Sequence, residues 1–279
     1  MRTLVAPNRS RAGYAIALTL TTIVVTVVFV LPLVWLVLSA MKPAVELARV
    51  PPTVLPMTWQ PETYVEAWRL MDLGRYFVNT IVVAIGTWAV QLAVDVPAAY
   101  ALSRLRPVLG KGILGMMLLT LMMPAAVLLV PTYLTIADLG LLNNPVALWL
   151  LGAANAFTVF LLKRFFDQLP VEVLEAARID GAGQLTMLWR VVLPLSRPIL
   201  AVVSIFAVVA AWKDFVWPLL VFSDPARQTL SVALQRFAPD TPVNLMLAGL
   251  VLAGAPVVGL FLVFQRHVLA GLTAGGVKG

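Results

Sequence analysis

Apolar runs, each closed off by a short polar segment, organise this chain from end to end. The runs are continuous rather than alternating, so they predict helices and not strands, and a helix needs about 20 apolar residues to cross hydrocarbon. Six spans are expected, at about 13–41, 76–102, 113–136, 146–162, 198–222 and 245–264. The fourth is the shortest and carries Asn155 in its middle. Arg2, Arg9 and Arg11 precede the first run as they would in a secretory signal. Its apolar part is too long for one and no small-residue cleavage pattern follows, so this span is expected to stay.

Composition agrees: 61% of the 279 residues are hydrophobic and 12% charged, too apolar for a water-soluble domain of this length. Backbone groups in lipid must pair internally, which leaves helices or closed barrels, and the unbroken runs choose helices. The fold class expected is all-α, a single membrane domain over residues 1–279. The amino terminus, the segments 103–112 and 163–197 and the carboxy-terminal tail hold 13 of the 20 Lys and Arg residues. Basic residues on short loops resist translocation, so these segments and both termini are expected on the cytoplasmic side. That topology accounts for the net charge of +7. No basic helix with interleaved aromatics suggests a nucleic-acid partner.

The absence of cysteine excludes disulfides and thiolate metal sites. The single histidine, His267, follows Arg266 at the end of the last run, where an interfacial role fits better than metal ligation, which needs several convergent ligands. Gly110-Lys-Gly lacks the upstream glycine and the hydroxyl residue of a phosphate-binding loop, so no catalytic residue and no nucleotide site are expected in this chain.

The segment between the fourth and fifth spans is the longest expected on the cytoplasmic side. Pro170 suits the start of a helix, Glu172 and Glu175 fall toward its positive end, and Arg178 falls toward its negative end. A helix over about 170–181 is predicted, stopped by Gly181 and again Gly183, where positive φ costs little. Leu185, Leu188, Trp189 and Val192 then recur at helical spacing up to Pro194. Val171, Leu174, Ala177 and Arg178 share one flank of the first helix, and Val173, Ala176 and Ala177 make another that is small and smooth. Such a rod fits a groove on a soluble partner, and it equally fits an interfacial helix resting on headgroups.

Glu175-Ala-Ala, then Gly181, then Val191 followed by Leu193-Pro194, is similar to the signature of the integral membrane subunits of bacterial ABC importers, with Val191 in place of the usual isoleucine. Phe165-Phe-Asp-Gln-Leu-Pro170, Ala211-Trp-Lys-Asp-Phe-Val-Trp-Pro218 and the ending Gly271-Leu-Thr-Ala-Gly-Gly-Val-Lys-Gly279 narrow the resemblance to the maltose-type carbohydrate permeases, specifically the second of their two membrane subunits. The resemblance implies a type I ABC importer permease fold in a bacterial cytoplasmic membrane. It also implies a second, different permease subunit, two cytoplasmic ATPase subunits that bind ATP and Mg, and an extracytoplasmic solute-binding protein. In that family the helix matching Glu175, Ala176, Ala177, Asp180 and Gly181 seats in a cleft of the ATPase, with Pro194 closing the signature, and the tail from Thr273 to Gly279 reaches into the ATPase interface. The outer segments 42–75 and 223–244 are then the docking surfaces for the binding protein, with Trp59 either part of that surface or a belt aromatic at the interface.

Polar residues inside spans complete the candidates. At roughly 1.5 Å rise per residue, Asn155 and Lys213 both fall about 13–14 Å from the outer boundary and Asp95 about 10 Å from the inner one, which argues against a Lys213–Asp95 pair. Asn155, Trp212, Lys213 and Asp214 are the candidate substrate path, and packing against another subunit is the competing use for them. Lys213 departs from the family, which commonly has asparagine there. That cation brings in an anionic solute, such as a glycerol-phosphate-like compound, as the alternative to a neutral sugar. An ion-coupled secondary transporter is the rival of a different class, and Asp95 and Asp214 are the carboxylates it would use.

Overall fold

The computed structural model describes residues 9–274 and the side chains of residues 13–265. Every regular element among them is helical. Three helices are continuous and apolar enough to cross a bilayer, over Gly13–Ala40, Leu73–Leu105 and Val243–Gln265. Three further spans are bent pairs: Gly110–Thr120 with Ala125–Asp138 at 101°, Pro145–Leu151 with Ala156–Asp167 at 52°, and Gln184–Leu195 with Arg197–Lys213 at 84°. Six spans result if each pair is counted as one. The described residues divide into two compact units.

One unit takes in the chain up to Met71 together with residues 237–252. Its first helix, Arg9–Ala40, exposes apolar side chains such as Val24, Val28 and Phe29 along almost its whole length, a surface that only lipid or another apolar helix can cover. Beyond it the chain is held by a buried polar knot. Lys42, 2% exposed, donates from Nζ to the Thr53 carbonyl at 2.5 Å and lies 4.9 Å from the Trp35 ring centre. The Glu46 carboxylate accepts from the Thr53 hydroxyl at 2.6 Å and from the Met57 backbone N–H at 3.0 Å. The Thr53 hydroxyl, the Met57 amide and the Lys42 ammonium hold its carboxyl below the usual carboxylate range, against the opposing effect of burial.

The other unit takes in residues 72–236 and the chain from Ala253 onward. The second span runs through its middle: Leu73–Tyr100 continues as one π-helical turn, Ala101–Leu105, and packs against both halves of the fourth span and against Arg197–Lys213. Val96, Ala99 and Tyr100 join Val159, Leu162 and Phe166 of the fourth span and Ile199, Val202 and Val203 of the fifth in one buried cluster. A second cluster gathers Val83, Ala147, Leu148 and Phe222.

The bends have local causes. The third span was expected to run unbroken, but Pro124 withdraws a backbone donor and keeps Met123 out of the helical region, so the chain turns there. The fourth is interrupted where the Asn155 side chain caps a new helix by accepting the Thr158 N–H at 3.0 Å. The fifth stops at Lys213 rather than running to Phe222, with Asp214 extended and a separate short helix over Val216–Val221.

The second and fourth spans approach closely at two glycines. A Cβ on Gly86 would lie 2.1 Å from the Trp149 indole, whose Nε1 donates to the Val82 carbonyl at 3.2 Å. At Gly152 an added Cβ would lie 2.3 Å from Thr87 Cγ2. Around Gly115, also helical, there is open space. Gly86→Ala is therefore expected to cost about 1–3 kcal/mol through overpacking, and Gly115→Ala to be neutral or slightly stabilising. Thermal unfolding of the two variants in detergent, side by side, checks this.

Candidate functional site: an outward helix and a cavity between spans

The helix Val171–Ile179 begins at Pro170 with no side-chain cap, carries Glu172 in its first turn and Arg178 in its last, and ends where Gly181 turns at φ 82°. That left-handed residue lets the Gly181 N–H reach the Arg178 carbonyl and the Ala182 N–H reach the Ala177 carbonyl at 2.9 Å. Gly183, expected as a second stop, is instead extended and precedes the next helical segment. From Gln184 the chain is helical through a π-turn, Met187–Val192, to Leu195, burying Met187, Leu188 and Val192 and leaving Leu185, Trp189 and Pro194 exposed.

Only one face of Val171–Ile179 is rooted. Leu174, 4% exposed, enters the cluster of the second, fourth and fifth spans, and Ala177 packs partly against the same cluster. Glu175, Ala176 and Asp180 lie on exposed faces. The sequence had treated Ala176 and Ala177 as one smooth seat; the structure separates them, because neighbours on a helix point about 100° apart.

Polar contacts tie this segment to the end of the second span. The Tyr100 hydroxyl donates to Gln184 Oε1 at 2.8 Å. Arg104 donates to the carbonyls of Phe166, in the last turn of the fourth span, and of Leu169, just beyond its end. The Ser103 hydroxyl and the Lys163 ammonium both donate to the Asp167 carboxylate, each at 2.7 Å. His267 and the side chains of the tail 273–279 lie outside the described residues.

Between the second, third, fourth and fifth spans lies a cavity of about 780 Å³. Asn155, Lys213 and Asp214 line it together with Thr87, Gln91 and Trp217. Asp214 is extended beyond the end of Arg197–Lys213, and its backbone carbonyl accepts from the Ser231 hydroxyl at 2.7 Å. Neither Lys213 nor Asp214 has an ion-pair partner among the described residues, so the wall carries one basic and one acidic side chain that do not pair with each other.

Trp212 is not part of this wall. Its Nε1 donates to the Ala253 carbonyl at 3.1 Å, its ring meets Phe77 edge-on at 5.8 Å, and it borders a separate apolar pocket of about 180 Å³ with Pro256 and Val257. Asp95, expected about 10 Å from the inner boundary and well apart from Asn155, shares a level with it: its Oδ1 accepts the Asn155 N–H at 3.1 Å. Counting rise from span ends failed because the fourth span is bent and interrupted. Thr87 and Gln91 were missed, although Thr87, Gln91 and Asp95 recur every four residues as a polar stripe on one helix face.

The family model described as "Binding-protein-dependent transport system inner membrane component" matches residues 96–273. This chain belongs to that family. Among its relatives, the diacetylchitobiose uptake system permease protein NgcG of Streptomyces coelicolor (strain ATCC BAA-471 / A3(2) / M145) is 31% identical over 256 residues, 90% of this chain and 84% of that protein. The melibiose/raffinose/stachyose import permease protein MelC of Bacillus subtilis (strain 168) is 35% identical over 219 residues, 77% of this chain and 79% of that one. A crystal structure of a bacterial ABC transporter involved in import of the acidic polysaccharide alginate contains a chain of the same fold, with a TM-score of 0.81 at 22% identity over 94% of this chain and 99% of that one. With that membership and its apolar helices, the chain is a multi-pass membrane protein of the permease class.

Because Leu174 carries the rooting of Val171–Ile179, Leu174→Ala is expected to weaken it by about 2–4 kcal/mol without unfolding the spans. Amide hydrogen exchange should then rise over residues 171–180 and stay slow over 156–167. Equal acceleration in both segments would contradict a single-point anchor.

Proposed function

We propose that this chain is a membrane-spanning permease subunit of an ATP-binding-cassette importer that carries a carbohydrate across the cytoplasmic membrane, with both termini inside. The chain hydrolyses nothing itself; ATP and Mg bind to two partner ATPase subunits, a second and different permease chain completes the pore, and an extracytoplasmic receptor delivers the solute. Carbohydrate as cargo is supported by the uptake named for the NgcG and MelC relatives.

The observation that carries the reading is the half-rooted helix Val171–Ile179. A helix that buries Leu174 in its own bundle and turns Glu175, Ala176 and Asp180 outward suits the helix-in-groove mode of binding to a soluble protein. Its outward side mixes acid and base rather than presenting the lysine-rich face that favours anionic lipid. Through Leu174, Tyr100–Gln184 and Arg104, displacement of that helix reaches the second, fourth and fifth spans, three of the four that enclose the cavity. A motor shifts an inward–outward equilibrium only through contacts that differ between the two states, and this helix offers such contacts.

Affinity purification of the full chain from its host membrane is expected to bring an ATPase with it, and Glu175→Lys to remove that partner while leaving the amount of permease unchanged. An ATPase that stays bound to Glu175→Lys, or uptake in vesicles that contain no nucleotide-hydrolysing subunit, would sink the proposal. Lys213→Ala is expected to lower solute uptake at least several-fold with little change in the amount of protein in the membrane; equal loss of both would assign Lys213 to structure alone.

A further inference from the structure

A cavity wall made from an interrupted helix needs something to hold it in place. The fourth span stops at Leu151 and restarts at Ala156, and the four residues between expose backbone that hydrocarbon cannot solvate. Asp95 lies just behind this break. It is fully buried and is not among the residues lining the cavity, yet its Oδ1 accepts the Asn155 N–H at 3.1 Å. One turn earlier on the same face, Gln91 Nε2 donates to the Thr158 hydroxyl at 2.9 Å. Asp95 Oδ2 is enclosed with no hydrogen-bond partner among the described residues, the Gln91 amide lying beside it. Burying a carboxyl inside a membrane bundle is costly, and here its Oδ1 accepts from Asn155, the residue that caps the restarting helix.

We propose that Asp95 is a positioning residue: its carboxyl clamps the broken fourth span to the second and so fixes how Asn155 faces the cavity. With Asn155 Oδ1 committed to the Thr158 N–H, the group it has left for a solute is its Nδ2, a donor. Together with the Lys213 ammonium, the clamped wall offers donors to a solute rich in acceptor oxygens. This last consequence rests on reading the cavity as the solute path; the clamp does not.

The chain contains no cysteine, so an introduced pair reports without interference. A Cβ placed on Gly152 lies 3.7 Å from Thr87 Cβ, inside the roughly 3.5–4.5 Å that a disulfide requires. In membranes holding the full chain, Thr87→Cys with Gly152→Cys is expected to cross-link rapidly on mild oxidation. Adding Asp95→Asn, whose amide oxygen still accepts the Asn155 N–H, should preserve the rate. Asp95→Ala and the near-isosteric, apolar Asp95→Leu should each slow it by roughly tenfold, the order expected when a buried backbone N–H loses its acceptor.

Cross-linking of Asp95→Leu at the parent rate, or loss of cross-linking in Asp95→Asn, overturns the proposal. So does a failure of the Ala and Leu variants to accumulate, since an effect confined to the break leaves the bundle folded. The readout needs neither ATP nor solute, so its failure is separable from failure of the importer reading.

Discussion

A helix that ends inside hydrocarbon strands backbone donors and acceptors where no water can reach them, and each stranded group costs several kcal/mol. The described part of this protein interrupts its third and fourth spans, at residues 121–124 and 152–155, and therefore faces that cost more than once. The repairs are made by side chains. Asn155 caps the restarting fourth span, and Asp95 takes the Asn155 N–H. Polar residues that look misplaced in so apolar a chain are the ones that make its bends possible.

Those bends create the cavity. Straight helices packed by their apolar faces would fill the space between them, as Gly86 against Trp149 and Val96 against the fourth span do at other levels. The break at residues 152–155 and the stop at Lys213 instead border a space lined mainly by apolar side chains, into which Thr87, Gln91, Asn155, Lys213 and Asp214 bring polar groups. The same second span that forms one wall continues into the π-turn carrying Ser103 and Arg104, so cavity and outward helix share one structural member.

The helical class, the approximate number of spans and the outward helix were legible because they depend on long-range composition and on short-range caps: apolar runs, Pro170, Gly181 and the Glu172–Arg178 charge order. The bends were harder to read. Pro124 and Asn155 stood in plain view, yet hydropathy averages over a window and does not register a single interrupted turn. Trp212 was assigned to the wrong face because adjacency in sequence is divergence on a helix, whereas the Thr87, Gln91, Asp95 stripe obeyed helical spacing and went unread. The partners of a buried carboxyl are a tertiary fact that no local pattern encodes.

Val171–Ile179 contributes one large side chain, Leu174, to the folded core, and the bundle is indifferent to what its outer face displays. Recognition and folding are thereby written in different letters of the same nine-residue word. Substitutions on the outer face would then change the surface offered to a partner at almost no thermodynamic expense to the host, so the exposed letters can drift over generations while the bundle beneath stays as it was.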